Sequence, residues 1–237
     1  MVSFTFYHDA RVKNEKQKNF SAGISGNLAL VRRLYGAGWT MRLYYDLDPG
    51  PAGQLQLRQL CELACADPQL DLCRVRRLPG RPLEDAREVY PLLWRFLPTL
   101  DPQVSVFLSR DLDSRITARE VARVPWQGGG ALHAGPSPAL HAHHGRHVGR
   151  QERHRGTRRV LSIVSTKRCI YVSISTPGLR RRWERAWTKM LAHKSARAAR
   201  HTKGHDQRLP QWFIWPWARH SAIQHDSYKW VVGMMIR

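Results

Sequence analysis

The sequence predicts an α/β fold, a mostly parallel sheet flanked by helices, within a chain of 237 residues. Short apolar runs alternate with segments of helical periodicity through the first half of the chain, which is typical of strand–helix–strand crossovers. One run, over 104–108, is apolar enough for a strand covered on both faces, and Asp111 and Asp113 follow it. Because open α/β sheets bind their ligands beyond the carboxyl ends of the strands, these two aspartates are candidate site residues.

Each element of the first half follows from its local composition. Apolar residues recur three and four positions apart in the first helical segment, at Ile24, Leu28 and Val31, and glycines follow it. The strand runs are rich in aromatic and β-branched residues. We expect strands near residues 2–7, 41–46, 70–76 and 104–109. Helices are expected over 19–38 and 54–66, with a helical connector over 83–100 that is broken at Pro91 and Pro98.

The character of the chain changes after residue 124. Most of the segment over 125–182 is rich in Gly, Pro, Arg and His and lacks a helical or strand period. It is predicted to be irregular, with 125–160 the least ordered part. For four of its histidines we favour an unstructured surface segment over a specific metal site, because no predicted fold or second shell of ligands supports them. They are His141, His143, His144 and His147.

Regular structure is expected again towards the end of this segment. Residues 160–177 have high strand propensity. The stretch over 179–200 predicts an amphipathic helix with Trp183 and Trp187 on its apolar face; a solvated basic face is favoured over a phosphate-binding or membrane-surface one. The chain thus divides into an α/β half over 1–124, a basic irregular segment over 125–182, and a helix and aromatic-rich block over 183–237 that complete the same domain.

The formal charge of +21 is unevenly distributed along the chain. Residues 1–124 carry 18 Lys and Arg against 14 Asp and Glu, whereas residues 125–182 carry 11 against 1. Cations neutralise phosphates and tryptophans stack on bases, so a basic nucleic-acid-binding protein is one functional alternative. Against it, no recognisable nucleic-acid-binding module is present, and the excess charge lies mostly in the second half.

The cysteines and the apolar runs bear on the cellular context. The four cysteines lack the spacing of a metal finger, and we predict that Cys61, Cys65, Cys73 and Cys169 are buried free thiols. No run approaches the roughly 18 apolar residues of a membrane helix, so a soluble chain without a transmembrane segment is expected. Since the first predicted strand begins almost at Met1, a missing upstream anchor would instead place the protein in the Golgi or secretory pathway.

Five stretches of the sequence carry a family resemblance. They are GWTMRLYYD, WRFLPTLDPQVSVFLSRDLDSRITAREVA, ERAWTKML, KGHDQ and WPWARHSAIQHDSY. Together they resemble a large family of GT-A-type glycosyltransferases, over residues 1–124 and again from about 183 to 232. The resemblance implies a GT-A-like, Rossmann-like fold that moves a sugar from a nucleoside-diphosphate donor to a glycan or protein acceptor.

RDLDSR, at the end of the fourth predicted strand, resembles the DxD motif that holds a divalent ion on the donor diphosphate in this superfamily. The resemblance implies that Asp111 and Asp113 bind Mn²⁺ or Mg²⁺, with His225 of QHDS as a third ligand. Such an ion stabilises the departing diphosphate as a Lewis acid, and carboxylate oxygens suit it. By residue type alone, a solvated turn explains the two aspartates equally well, and a core or surface role explains His225.

Four further residues are assigned to the donor and the acceptor. Arg110 and Arg115 flank the aspartates, where they would contact donor phosphate or form structural ion pairs with neighbouring carboxylates. Asp46, which ends the second predicted strand, is expected near the nucleoside. Asp206 of GHDQ lies where such enzymes carry an acid that faces the acceptor, as a base in inverting transfer or a polar orienting group in retaining transfer.

The resemblance breaks down over 125–182. Relatives carry an EW helix, an MRDHP stretch and a glycine-rich GGMWG stretch there, whereas this chain has VPWQGGGALHAGPSPALHAHHGRH. A sudden loss of acids with runs of His, Arg, Gly and Pro is typical of translation in a shifted reading frame. We therefore hypothesise that residues 125–182 are not the family's native segment, which makes a catalytically inactive relative a third functional class.

Overall fold

The computed structural model describes residues 1–7, 14–78, 85–121, 165–166, 169–173, 177–198 and 205–218. The disorder predicted over 125–160, the four histidines within it and the predicted metal ligand His225 fall outside these residues. The two predicted carboxylate ligands, Asp111 and Asp113, fall inside them. The candidate site is therefore described from the end of the fourth strand and the elements that surround it.

A six-stranded sheet in the order β3-β2-β1-β4-β6-β5 forms the centre of the fold. Its strands are β1 (Val2–Tyr7), β2 (Met41–Asp46), β3 (Leu70–Arg74), β4 (Val106–Arg110), β5 (Ser165–Thr166) and β6 (Cys169–Ser173). Strands β1 to β4 are parallel, and β6 pairs antiparallel with both β4 and β5. The predicted α/β fold and mostly parallel sheet are confirmed, and the four expected strands agree with the observed ones to within two residues at each end.

Helices surround the sheet. They are α1 (Asn14–Tyr35), α2 (Pro51–Ala66), α3 (Ala118–Val121), α4 (Pro177–Ala192), α5 (Lys194–Ala198), α6 (His205–Phe213) and α7 (Trp215–Ala218), with a 3-10 helix over Pro91–Leu100. Helix α1 ends at Tyr35 and is followed by Gly36, whose φ of 78° is the left-handed conformation that glycine adopts without strain. The helical connector expected over 83–100 is a 3-10 helix only from Pro91 onwards, and the described residues 85–90 are not helical. Pro91 starts this helix, where its missing N–H costs no hydrogen bond. The break expected at Pro98 is wrong, because Pro98 lies inside the 3-10 helix.

The two faces of the sheet carry separate hydrophobic cores, as expected for strands buried on both sides. On β4 the alternation is direct, since Phe107 belongs to one core and Leu108 to the other. One core joins the sheet to α1 and α2 through residues that include Phe4, Leu28, Val31, Leu43 and Leu60. The other joins it to the 3-10 helix, α4 and α6 through residues that include Trp94, Trp183, Trp187, Met190 and Leu209.

The strand order changes direction at β1, which has β2 on one side and β4 on the other. In open α/β sheets such a switch point opens a crevice at the carboxyl ends of the strands on either side of it, here β1 and β4. Val2 pairs with Leu108 and Ser3 with Ser109, so β1 continues beyond the end of β4. The loop that starts at Asp111 therefore lies beside the second half of β1.

Cys61, Cys65 and Cys73 are free thiols, as predicted. The predicted burial is wrong for Cys61 and Cys65, which are exposed on α2 because that helix turns only one face to the core. Cys73 is partly buried on β3. The side chain of Cys169 is outside the part of the chain that the structure describes. Among the helices of the described ranges, none combines the length and apolar character needed to cross a bilayer.

Candidate functional site

The loop that follows β4 is shaped from inside by Arg110, the last residue of that strand. The Arg110 side chain is only 1% exposed, and its guanidinium pairs with Glu120 and donates hydrogen bonds to the carbonyl oxygens of Ser114 and Arg115, at 3.2 and 2.9 Å. Of the two roles open to Arg110 from the sequence, the structural ion pair is the one found. Its buried charge is compensated by groups of the loop, so the arginine fixes the loop's course.

Glu120 has a second function at the start of α3. Its other carboxylate oxygen accepts a hydrogen bond of 2.9 Å from the backbone N–H of Thr117, the residue before the helix. This is one half of a capping box, in which an acid in the first turn reaches back to the N-cap residue. The loop between β4 and α3 is consequently tied to α3 at one end and to the buried Arg110 at the other.

Helix α1 holds the same loop from its other side. The fully buried amide of Asn27 donates to the carbonyl oxygen of Leu112 at 3.1 Å and accepts from the backbone N–H of Ile116 at 3.2 Å. Gly23 allows this approach, since a Cβ at its position would lie 2.6 Å from the Leu112 carbonyl oxygen. Leu112 and Ile116 themselves are buried in the core under α1, so the loop is anchored on both sides of Asp113.

Arg95 connects this loop to the C-terminal part of the chain. It lies on the 3-10 helix, and its guanidinium pairs with Asp111 through Nη1 and with Asp206 on α6 through Nη2, the latter at 2.8 Å. Arg95 and Asp206 are each 8% exposed, whereas Asp111 is 34% exposed. Two of the predicted site residues, Asp111 and Asp206, are thus brought together, although they lie far apart in the sequence.

The two remaining charged residues of RDLDSR point away from the core. Asp113 is exposed, between the anchored Leu112 and Ser114. Arg115 is exposed as well, and its guanidinium lies against α1 at Gly26, where an added Cβ would be 1.9 Å from Nη1. The structure therefore leaves Asp113 at the surface of the loop and places Arg115 on the α1 side of it.

Asp46 ends β2 at the same edge of the sheet. Its carboxylate pairs with Arg76, whose Nε lies 2.6 Å from Oδ1, and both side chains are partly exposed. This arginine neutralises Asp46 in the described structure. Asp46 lies at the carboxyl end of β2, and its proximity to a nucleoside stays a prediction.

A second arginine bridges two aspartates at the opposite edge of the sheet. Arg42, near the start of β2, contacts Asp71 on β3 and Asp101 before β4, each at 2.6 Å. Burial opposes the charge of Arg42, but the neighbouring Tyr44 hydroxyl and the hydrogen bond to Asp101 outweigh it and raise the pKa of Arg42. This cluster joins three neighbouring segments at the amino edge of the sheet, away from the switch-point crevice. Like Arg95, Arg42 thus pairs with two aspartates from different segments of the chain.

The acids of the loop fit a divalent cation in part. Mg²⁺ in nucleotide sites is held by one or two carboxylates, and substrate phosphates and water complete its octahedron. Asp111 and Asp113 are two such carboxylates, although Arg95 engages one oxygen of Asp111. No group of three or more His, Cys, Asp or Glu within the described residues is placed to hold a metal. A metal here would accordingly depend on substrate oxygens or on ligands beyond these residues.

Arg95, Asn27 and Glu120 are not among the site residues predicted from the sequence. A signal for Arg95 existed, because it is the one charged residue of PLLWRFLPTL and stands between Trp94 and Phe96. A signal for Glu120 existed too, in the spacing of Thr117 and Glu120 before a short helix. Asn27 gave no signal, because a polar residue within an amphipathic helix is ordinarily solvated.

Comparison with known proteins adds no relative. No protein-family model, curated protein or solved structure matches the chain.

Proposed function

We propose that this chain is a metal-dependent glycosyltransferase of the GT-A type that binds a nucleoside-diphosphate sugar at the carboxyl ends of β1 and β4. The observation that carries the proposal is the position of Asp111 and Asp113, on a rigidly held loop directly after β4 and beside the switch point of a parallel sheet. Ligands of open α/β sheets bind at this place. The resemblance of RDLDSR to the DxD motif supports the same location.

The rigidity of the loop supports a binding function rather than a solvated turn. A turn that only connects β4 to α3 would need no buried arginine and no buried asparagine to fix its backbone. Here Arg110 and Asn27 both hold it, and Gly23 makes room for it. Binding sites are most effective when packed neighbours hold their ligating groups in place, and that is the arrangement around Asp113.

The local charge supports a cation partner. The chain as a whole carries a formal charge of +21. At the end of β4, however, Arg95 is shared by Asp111 and Asp206, Arg110 pairs with Glu120, and Asp113 and Arg115 are both exposed. Four acids therefore face three arginines at this place. An excess of carboxylates at one point of a strongly basic protein favours binding of a divalent cation. Asp111 and Asp113 would hold that ion, which would supply Lewis-acid stabilisation of the departing diphosphate.

Asp206 acts in this proposal as an orienting group towards the acceptor. Its carboxylate is almost fully buried and paired with Arg95, which fixes its position. This favours the orienting alternative over the general base among the roles considered for Asp206. The acceptor, a glycan or protein, would approach from the side of α6.

The experiment that tests the proposal is calorimetric titration of the full chain with uridine and guanosine diphosphate, with and without Mn²⁺. We expect binding of one of them only when Mn²⁺ is present. Asp111→Ala and Asp113→Ala are each expected to weaken this binding at least tenfold, because each removes an oxygen ligand of the ion. The matched control is Asp71→Ala at the amino edge, since Asp71 is 37% exposed and also pairs with an arginine.

Three outcomes separate the functional classes. Equal binding by all three variants would refute the assignment of the two aspartates. Absence of Mn²⁺-dependent nucleotide binding, together with salt-sensitive binding of nucleic acid, would support the nucleic-acid-binding alternative. Nucleotide binding without donor hydrolysis or transfer to any glycan acceptor would support the inactive relative.

A further inference from the structure

We propose that Cys61 and Cys65 form a binding site for a soft, two-coordinate metal cation such as Cu(I), on the exposed face of α2. The site is independent of the proposed transferase function and lies on a different element from Asp111 and Asp113. It follows from three observations: both thiols are free, both are exposed, and they are separated by one turn of a regular helix.

The spacing of the two cysteines brings their sulfur atoms to the same side of the helix. Residues four apart in an α-helix are neighbours, with about 5–6 Å between their Cβ atoms. Two metal–sulfur bonds of about 2.3 Å each, the length found for Zn–S, span a similar distance when the ion lies between the sulfurs. An ion that accepts two thiolates in line can therefore bridge Cys61 and Cys65 without unwinding α2.

A disulfide is a poorer outcome for this pair. The Cβ atoms of a disulfide are usually about 3.5–4.5 Å apart, which is less than the separation of side chains one helical turn apart. Closing the bond would require distortion of α2 near its carboxyl end, where Leu60 and Leu63 pack on the core. The geometry of the helix thus favours the dithiol form, which is the form that binds metal.

The ligand set selects the class of cation. Thiolates are soft ligands and favour Cu(I), whereas Zn²⁺ in structural sites requires four ligands. The described side chains offer no third His, Cys, Asp or Glu that would complete such a site. Binding converts two thiols and one Cu⁺ into a bis-thiolate complex of charge −1 and releases two protons, so no oxidant or reductant is needed.

Cys73 is a natural contrast within the same protein. It is partly buried on β3, and its burial, with the nearby charge of Asp71, raises the pKa of its thiol to about 11. Its thiol therefore stays protonated at neutral pH. Cys61 lies on the other side of the sheet, beside Tyr45, whose pKa is raised by partial burial and by this neighbouring thiol. Because Cys73 is partly buried whereas Cys61 and Cys65 are exposed one helical turn apart, metal is expected to bind at α2 and not at Cys73.

The test is a competition titration of the full chain with Cu(I) under anaerobic conditions against a chromophoric Cu(I) chelator. A Cys73→Ser/Cys169→Ser variant, which keeps only the pair on α2, is expected to bind one Cu(I) per chain as tightly as the natural sequence. Adding Cys61→Ser or Cys65→Ser is expected to weaken binding at least tenfold, because the second thiolate then no longer acts at high effective concentration. Zn²⁺ is expected to bind much more weakly than Cu(I) to the same variant.

A displaced thiol gives the matched control. Cys65→Ser/Ala66→Cys, in the same background, keeps two exposed thiols on α2 but places them five residues apart, on different sides of the helix. It should bind Cu(I) no better than the variants with one thiol. Equal Cu(I) affinity of this control and of the natural pair would overturn the proposal. Tight Cu(I) binding that remains after Cys61→Ser would also overturn it. So would loss of Cu(I) binding in the Cys73→Ser/Cys169→Ser variant. Circular dichroism would confirm that each variant retains its helices.

Discussion

Replacement of Arg95 by methionine tests the connection between the β4 loop and α6. Methionine fills much of the same volume but leaves Asp206 buried without its guanidinium partner. Removing one member of a buried ion pair typically costs about 3–5 kcal/mol, because the remaining charge is desolvated and uncompensated. The loss of the pair with Asp111 adds little to this cost, since the Asp111 side chain is 34% exposed and water can solvate its carboxylate. We therefore expect Arg95→Met to lower the free energy of unfolding by about 3 kcal/mol at pH 7.

The assay is equilibrium unfolding in urea, followed by circular dichroism and tryptophan fluorescence. For a chain of this size a loss of about 3 kcal/mol corresponds to a melting temperature roughly 6–12 °C lower. The double variant Arg95→Met/Asp206→Leu should recover most of the loss, because it leaves no unpaired buried charge. Arg42→Met is the matched control; its partners Asp71 and Asp101 are 37% and 19% exposed, so about 1–2 kcal/mol is expected.

Two results would refute this reasoning. If Arg95→Met were no more destabilising than Arg42→Met, the exposure of the acid partners would not determine the cost. If the double variant were as unstable as the single one, the loss would come from packing of the arginine side chain rather than from the unpaired charge of Asp206. In either case Arg95 would not be the electrostatic link between the loop and α6.

Further predictions concern the loop and the sheet. Asn27→Ala should cost about 1–3 kcal/mol in urea unfolding and weaken nucleotide binding, because two buried backbone groups of the loop lose their partner. Gly23→Ala should destabilise more than Gly26→Ala, since its Cβ would meet a backbone carbonyl oxygen at 2.6 Å, whereas that of Gly26 meets the tip of a flexible arginine; equal melting temperatures would contradict this. Burial, followed by the nearby charge of Asp71, raises the pKa of the Cys73 thiol to about 11, so the unfolded chain loses this proton first as pH rises. The free energy of unfolding should thus fall by about 2–3 kcal/mol between pH 9 and 11, and less in Cys73→Ala; equal pH profiles for both proteins would contradict this.

The fold was predictable from the sequence where local pattern and tertiary environment agree. Strands β1, β2 and β4 are short apolar runs with polar boundaries, and burial on both faces is what such runs require. The strand-like run over 160–177 is represented by β5 and β6 among the described residues, and β6 extends the sheet beyond β4. Its antiparallel direction depends on a long connection, and no local pattern indicates the direction in which such a strand returns.

Proline positions show where the sequence reasoning failed. A helical connector broken at Pro91 and Pro98 was expected. The structure has one 3-10 helix that starts at Pro91, without a helix in the described residues before it, and that continues through Pro98. Most residues of this helix are buried between the sheet and the C-terminal helices, and packing therefore offsets the hydrogen bond that Pro98 cannot donate. Tertiary burial of this kind is not visible in a pattern of neighbouring residues.

The candidate site was predictable from the sequence in the residues of RDLDSR, including the structural ion pair of Arg110. Its aspartates stand out because open α/β sheets bind their ligands beyond the carboxyl ends of the strands, although a solvated turn explains the residue type equally well. Arg95 and Asn27 act across the fold, on residues 16 and 85 positions away along the chain. Their partners become neighbours only when β4, the 3-10 helix and α1 are packed together. The local sequence around a residue that depends on such a contact looks the same as that around any other polar residue of its helix or strand.

Exposed arginines lie on two surfaces of the protein. At the carboxyl edge of the sheet, Arg76, Arg95 and Arg110 are each paired with an acid, whereas Arg74, Arg77 and Arg115 are exposed. On α4, Arg181 and Arg185 are exposed on successive turns. A polyanion would be attracted to α4, and a divalent cation with its diphosphate to the loop after β4. The two surfaces are built from different elements. Removal of the positive charges on α4 should therefore abolish nucleic-acid binding without changing the proposed Mn²⁺-dependent nucleotide binding at Asp111 and Asp113.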